Sequence, residues 1–458
     1  MPSPVQLRFA DDISIVVPDS LELITSYVLR EQHDWFEDEI RFVRSLLKPG
    51  QQAIDIGANY GVFTLSMAKV VGAGGRIWAF EPASSTAALL AESLRANGFH
   101  HVVLDQRALS DHAGIAQLSL HQNSELNELV REGAAAGTAE TVALISLDDA
   151  MREYRWREID FVKIDAEGEE AAIIRGGRDF FHTLSPLIQY EVKAGTAVHL
   201  GLVQAFADIG YASYRLVPGP GALVPFNVGE PVDGYLLNLF CCKPDRAAKL
   251  AAEGRLVLAS DLQAAALARP GYEWQNTLAK LPYGRLLAAT WQQTAGHAQG
   301  GEIGGALALY ARSRDSELPI VERTLALQGS LGLLTAACAR EPGFLRLASL
   351  ARVAQAFGAR TIAVEALDTQ LKRVTQDRQV HPDEPFLASS EHYDHLDPGT
   401  GIDNWVLCSI LEGLERNSAF SSFYTGQAAR QRLRAIGQLG FGSPEMARRL
   451  ALLEQRYP

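Results

Sequence analysis

Cysteine is scarce in this 458-residue chain: there are four, of which Cys241 and Cys242 are adjacent and none forms a C-x-x-C pair. That excludes a disulfide framework and the paired spacing of a zinc site, and it leaves the thiols as small buried hydrophobes. Blocks of Lys and Arg are also lacking. The formal net charge is −12, without the basic footprint that binding to nucleic-acid phosphates requires. No run approaches eighteen uninterrupted apolar residues, and Met1-Pro2-Ser3-Pro4 has neither a basic start nor an apolar segment behind it. The expectation is a soluble, cytoplasmic protein with no nucleic-acid or membrane partner. The chain is too long for one ordinary domain, and its 47% apolar and 21% charged residues are typical of globular folds.

Against this background one stretch stands out, Ala53-Ile54-Asp55-Ile56-Gly57-Ala58-Asn59-Tyr60-Gly61, an apolar strand that passes through an acid into a turn with glycines four apart. Gly57 and Gly61 allow positive φ and close backbone approach, and a helix from Val62 would aim its first amides at a ligand. A dinucleotide fingerprint reads G-x-G-x-x-G, with a central glycine that makes room for a pyrophosphate. Asn59 occupies that place. S-adenosylmethionine, which has no pyrophosphate, fits the turn better.

A second apolar strand, Arg76–Phe80, ends in Glu81-Pro82, with the acid twenty residues after Gly61. An acid there can bridge two ribose hydroxyls, which indicates an adenosine-bearing ligand without distinguishing the methyl donor from a nicotinamide cofactor. The competing structural explanation, that Glu81 caps the helix starting near Ser84, ranks second.

The rest of the first half alternates. Residues 5–9 and 13–17 predict a hairpin, and Ile40, Phe42, Val43, Leu46 and Leu47 recur at helical spacing before Lys48-Pro49-Gly50. Helices are predicted over residues 84–97, 148–153 and 196–208, and strands over 102–104, 159–164, 187–192 and 235–240. This β-α alternation predicts an α/β fold with a doubly wound, mostly parallel sheet over residues 1–245. Beyond Asp245 alanine, leucine and arginine dominate. Helical periodicity over residues 247–268, 321–340 and 345–370, with hairpin-like segments at 347–371 and 428–453, predicts an all-helical domain over residues 246–458. Its pattern suits a solenoid of repeats and an irregular bundle equally.

Open α/β sheets bind ligands beyond the carboxyl ends of their strands, at the point where strand order reverses. Two strand ends there are acidic: Lys163-Ile164-Asp165-Ala166-Glu167-Gly168-Glu169-Glu170 and Gln189-Tyr190-Glu191-Val192-Lys193. Within one strand Glu191 and Lys193 would share a face and lean toward the same cleft. Glu169 and Glu170 also suit the start of a helix, where acids favour the dipole.

Taken in order, Asp55-Ile56-Gly57-Ala58-Asn59-Tyr60-Gly61, Phe80-Glu81-Pro82, Ala108-Leu109-Ser110-Asp111, Lys163-Ile164-Asp165-Ala166-Glu167-Gly168 and Tyr190-Glu191 resemble the FkbM-type methyltransferase family over roughly half the chain. The resemblance implies a seven-stranded class I methyltransferase fold, S-adenosylmethionine as donor and a hydroxyl acceptor, most often on a sugar, a glycan or a glycosylated natural product. It implies that Asp55, Gly57, Ala58, Asn59, Tyr60 and Gly61 hold the methionine part of the donor. Glu81 and Pro82 would lie at the ribose, and Gln106, Arg107 and Ala108 at the adenine. Asp165 would sit beside the sulfonium, and Glu37 near the donor's amino group. Asp165, Glu167 and Glu191 are the candidate catalytic bases. Where the family often places a histidine two residues after the strand acid, this chain has Lys193, which would need a depressed pKa to act as a base. Asp165 and Glu191 are alternatively ligands for Mg²⁺.

Other clusters carry less. Glu391-His392-Tyr393-Asp394-His395-Leu396-Asp397 reads as a solvated loop, His100, His101 and His112 as turn residues, and Trp274, Trp291 and Trp405 as core rather than a sugar-binding groove. Two alternatives to a glycan-directed O-methyltransferase remain at this level: an NAD-dependent oxidoreductase, and a cofactor-binding adaptor. In either case the helical domain would recognise substrate, bind a protein partner or self-associate.

Overall fold

The computed structural model describes the whole chain except residues 1, 11, 122–123, 125–126, 131–137, 195–196, 265–273, 295–297, 378–379 and 381. It resolves into two compact units. The first comprises Met1–Leu216, Pro225–Pro231 and Leu236–Glu253, and the second Val217–Val224, Val232–Tyr235 and Gly254–Pro458.

An eight-stranded sheet organises the first half, in the order Ala222–Pro225, Ala212–Val217, Asn238–Cys242, Leu187–Glu191, Phe161–Ile164, Gln52–Ile56, Arg76–Phe80, Val102–Asp105. The five strands from Leu187–Glu191 to Val102–Asp105 run parallel, and Asn238–Cys242 pairs antiparallel on both sides. The expected doubly wound sheet is therefore present, with the short strand Ala222–Pro225 as one more than seven. Strand order reverses between Gln52–Ile56 and Phe161–Ile164, which puts the ligand crevice beyond Ile56 and Ile164.

Alternation along the strands determines what faces the crevice. Ile54, Ile56, Val162 and Ile164 enter a core with Trp78, Phe80, Trp156 and Phe180, so Asp55 and Lys163 point to the other face. The parallel register sets Asp55 directly opposite Lys163.

Several boundaries differ from those expected. The strand predicted over 187–192 ends at Glu191, and Lys193–Ala194 belongs to a separate two-residue ladder with Ala197–Val198. Glu191 and Lys193 thus do not share one strand. The helix predicted from residue 196 begins at Gly201; residues 195–196 lie outside those described. A four-stranded sheet of Ala108–Ser110, Gly114–Leu120, Glu128–Val130 and Thr138–Ser146 is inserted where no strand was expected. Its strand Gly114–Leu120 alternates over Ala116-Gln117-Leu118-Ser119-Leu120, with Leu118 buried and Ala116 and Leu120 packed beside it against Val142 and Leu144.

The second unit is helical, and includes Ile320–Arg340, Phe344–Phe357, Arg360–Asp377, Ile402–Asn417 and Pro444–Arg456. Gly358, at φ 80°, turns Phe344–Phe357 into the next helix. Trp291 and Trp405 are buried beside Tyr283 and Phe386, as core residues. The segment read as a solvated loop forms a 3₁₀ turn, Glu391–His395, with Tyr393 buried and Asp394 paired to Arg352 at 2.6 Å. All four cysteines are free and buried. No helix among the described residues is long and apolar enough to cross a membrane.

Candidate active site

The glycine turn works as the sequence demands. Gly57 has φ 75°, and a Cβ on it would lie 1.7 Å from the carbonyl oxygen of Asp165. The turn and the next acidic loop can approach this closely only without a side chain at that position. Gly61, at φ 93°, caps the helix Val62–Val71, whose first residues line the pocket. Asn59 adopts φ 50° and Glu167 φ 44°. Both are non-glycine residues in the left-handed region, and such backbone strain is concentrated at functional sites.

Asp55 is fully buried. Its Oδ2 accepts the Thr64 hydroxyl at 2.6 Å, and its Oδ1, without a hydrogen-bond partner, lies 3.9 Å from the Lys163 ammonium. Burial raises its pKa, against the opposing pull of Lys163 and Thr64. Lys163 donates to Asp165 Oδ2 at 2.8 Å and lies over the Phe63 ring, 5.1 Å from its centroid. Burial works against its charge, but Asp165 and Asp55 outweigh burial and raise its pKa, so it remains a cation. Lys163 was not among the residues expected at the site. The clue was available in the period of two, because Lys163 and Asp165 share a strand face two residues apart.

Glu81 accepts the backbone N–H groups of Asn59 at 2.8 Å and Ala83 at 2.9 Å, one on each carboxylate oxygen. The second bond reaches Ala83, just before the helix Ser84–Asn97, which has no side-chain cap, and Glu81 lines the pocket. Each oxygen keeps a lone pair for a ribose hydroxyl. Burial, opposed by the two N–H donors, pushes its pKa up to about 7. Because a diol donating to Glu81 favours the carboxylate, donor affinity is expected to rise between pH 6 and pH 8 and then level off. Calorimetric titration checks this, and Glu81→Gln should flatten the profile and weaken binding about 10-fold or more, the loss of charge-assisted hydrogen bonds.

On the other side, Glu37 accepts the Trp35 indole N–H at 3.0 Å and the Asn238 amide at 2.9 Å, and burial raises its pKa. Glu37, Asp55, Gly57, Ala58, Asn59, Tyr60, Glu81, Pro82, Arg107, Ala108, Asp165 and Glu167 all line one pocket; Gln106 is exposed and is not among its lining residues. Arg107 is clamped by Asp105 and Glu153, at 2.7 and 2.8 Å. The inserted sheet adds Leu118 and Leu129, the connection between their strands adds Ser124 and Asn127, and Ser124 donates to Asn59 at 2.8 Å.

Asp165, Glu167 and Glu191 bring carboxylate oxygens within 4.8 Å of one another. Glu191 is hydrogen-bonded to Asp165, and its pKa is pushed up to about 10 by burial, then by Asp165 and Glu167. Glu169 accepts the Ser110 hydroxyl at 2.9 Å, while Glu170 accepts the N–H groups of Ala166 and Gly168, the expected work of an acid at a helix start. The side chain of Lys193 lies outside the described residues.

A glycine turn after the strand Gln52–Ile56, an acid after Arg76–Phe80 and an acidic loop across the topological switch are arranged as in the class I methyltransferase fold. Residues 55–212 match the model of the methyltransferase FkbM domain, so the resemblance seen in the sequence holds for that part of the chain. Among solved structures, a methyltransferase FkbM from Methylobacillus flagellatus KT is similar at 17% identity and TM-score 0.31, over 43% of this chain and 45% of that one. A SAM-dependent O-methyltransferase from Thermotoga maritima is similar at 15% identity and TM-score 0.26, over 52% of this chain and 77% of that one. A putative rRNA-methylase from Clostridium thermocellum is similar at 11% identity and TM-score 0.29, over 46% and 95%. No curated protein matches the chain.

Proposed function

We propose that the protein transfers the methyl group of S-adenosylmethionine to a hydroxyl oxygen of a sugar or glycan acceptor. The observation that carries this reading is the carboxyl cluster of Asp165, Glu167 and Glu191, of which Asp165 and Glu167 line the pocket with the glycine turn. A hydroxyl must lose a proton when its oxygen is alkylated, so an O-methyltransferase needs an acceptor for that proton next to the donor.

The residues fit the donor. The buried Asp55 Oδ1 has no hydrogen-bond partner, the bare Gly57 lets the Asp165 loop close onto the turn, and Glu81 and Glu37 line the same pocket, where they can bind a diol and an ammonium group. The donor supplies an electrophilic methyl carbon for in-line displacement, in which an oxygen–carbon bond forms as the carbon–sulfur bond breaks. Asp165 receives the hydroxyl proton, and Glu191, which keeps its own proton, donates a hydrogen bond that fixes the Asp165 carboxylate. Positioning is worth on the order of 7 kcal/mol or more, and the base a factor of about 10² to 10⁴. Trp35, held by Glu37, presents an aromatic surface suited to the apolar face of a sugar ring. The helical unit, for which acceptor recognition, a protein partner or self-association are the candidate roles, would choose among acceptors.

S-adenosylmethionine is expected to raise the melting temperature, by an amount that grows with the logarithm of its concentration above Kd. No shift at millimolar donor would sink the reading. Methyl incorporation into cell-envelope glycans, compared with and without the protein, would identify the acceptor.

The same cluster supports a second reading. Three carboxylates within 4.8 Å suit a hard divalent cation, so Asp165, Glu167 and Glu191 would hold Mg²⁺, a Lewis acid toward the hydroxyl. Chelation distinguishes the two: activity lost with EDTA and restored by Mg²⁺ favours the cation, and unchanged activity favours the bare base.

A further inference from the structure

Lys163 has no place in the donor-binding or proton-transfer roles above, yet it is a buried cation inside the pocket wall. Its position is unusual for what the pocket is built to take. Asp55 and Asp165 flank it at 3.9 and 2.8 Å, and its charge acts on both Glu81 and Glu37. Lys163 is thus within electrostatic reach of both the acid suited to a ribose and the acid suited to an ammonium group. A donor spanning those two acids carries its sulfonium between them, over Asp55, Lys163 and Asp165.

Charge then matters in a specific way. Methyl transfer destroys the sulfonium charge, so the transition state is less positive at sulfur than the bound donor. Two unbalanced carboxylates beneath that sulfur would stabilise the ground state more than the transition state, which lowers the rate. Resting on the donor assignment above, we infer that Lys163 is a positioning residue that holds Asp165 in place and balances Asp55 and Asp165, so that the pocket does not over-bind the sulfonium.

The inference is tested by binding, without turnover. S-adenosylmethionine and S-adenosylhomocysteine share every group except the methyl and its positive charge, so the ratio of their Kd values reads the pocket's preference for that charge. Wild type is expected to discriminate between them by no more than about fivefold, and Lys163→Met to favour the sulfonium at least about tenfold more than wild type, because an opposing charge a few ångströms away has been removed. Lys163→Arg, which keeps the charge, should leave the ratio within about threefold of wild type. Loss of packing alone would weaken both ligands together and leave their ratio unchanged, and that result in a folded Lys163→Met would overturn the inference while leaving the donor assignment intact. Where Lys163→Met does not fold, the wild-type ratio decides, and a preference for the sulfonium of about tenfold or more overturns it. Binding of neither ligand to wild type would remove the donor assignment as well.

Discussion

Asp165→Asn is expected to lower kcat by about 10² to 10⁴ at saturating donor, because the change removes a proton acceptor and preserves shape. Three features concentrate this effect at Asp165. Its backbone is locked against the glycine turn, with its N–H donating to Ile56 and its carbonyl where a Gly57 side chain would be. Its carboxylate is held by Lys163 at 2.8 Å. The neighbouring Glu191 retains its proton up to about pH 10, so it does not replace Asp165 as a base at neutral pH. Single-turnover measurements at saturating donor and acceptor isolate the chemical step. A rate within about fivefold of wild type would remove Asp165 from the mechanism.

Gly57→Ala is expected to abolish measurable donor binding and to destabilise the fold. The new Cβ would fall 1.7 Å from the Asp165 carbonyl oxygen, which is backbone and cannot rotate away. The residue would also sit at φ 75°, which costs a side-chain-bearing residue roughly 1–2 kcal/mol, before about 1–3 kcal/mol for displaced packing. Denaturant unfolding measures the stability loss, and calorimetry the loss of donor binding. Gly50→Ala makes the control: it shares a positive φ of 89°, but its added Cβ meets nothing within 4 Å. It should show the conformational cost alone, with donor binding retained. Equal effects at the two glycines would refute the close-approach argument.

Much of the pocket lining was legible because it is local. A strand, a tight turn and a helix start are adjacent in sequence, so Gly57, Asn59 and Gly61 announce one another within five residues. Glu81 was legible for the same reason, as an acid directly behind an apolar run. Lys163 was not, because its importance comes from facing Asp55 across a parallel ladder more than a hundred residues away in the chain. Leu118, Ser124, Asn127 and Leu129 were missed for a different reason. They lie in or between two strands of an inserted sheet, and the alternation Ala116-Gln117-Leu118-Ser119-Leu120 reports a buried face without reporting which pocket it borders. Gln106 illustrates the reverse: an adjacent position is not a shared orientation, and only Arg107 and Ala108 of that trio line the pocket.

The sequence by itself determined the parts that short-range sterics govern: the left-handed glycines, the alternating strands, the helix starts, and the change from β-α alternation to helices after the first half. Tertiary structure decided which charges meet. Register placed Asp55 against Lys163, and the approach of two strand ends gathered Asp165, Glu167 and Glu191 within 4.8 Å. The physical reason is range. Backbone preference acts over a few residues, whereas burial and Coulomb coupling depend on distances through space that the order of residues does not specify.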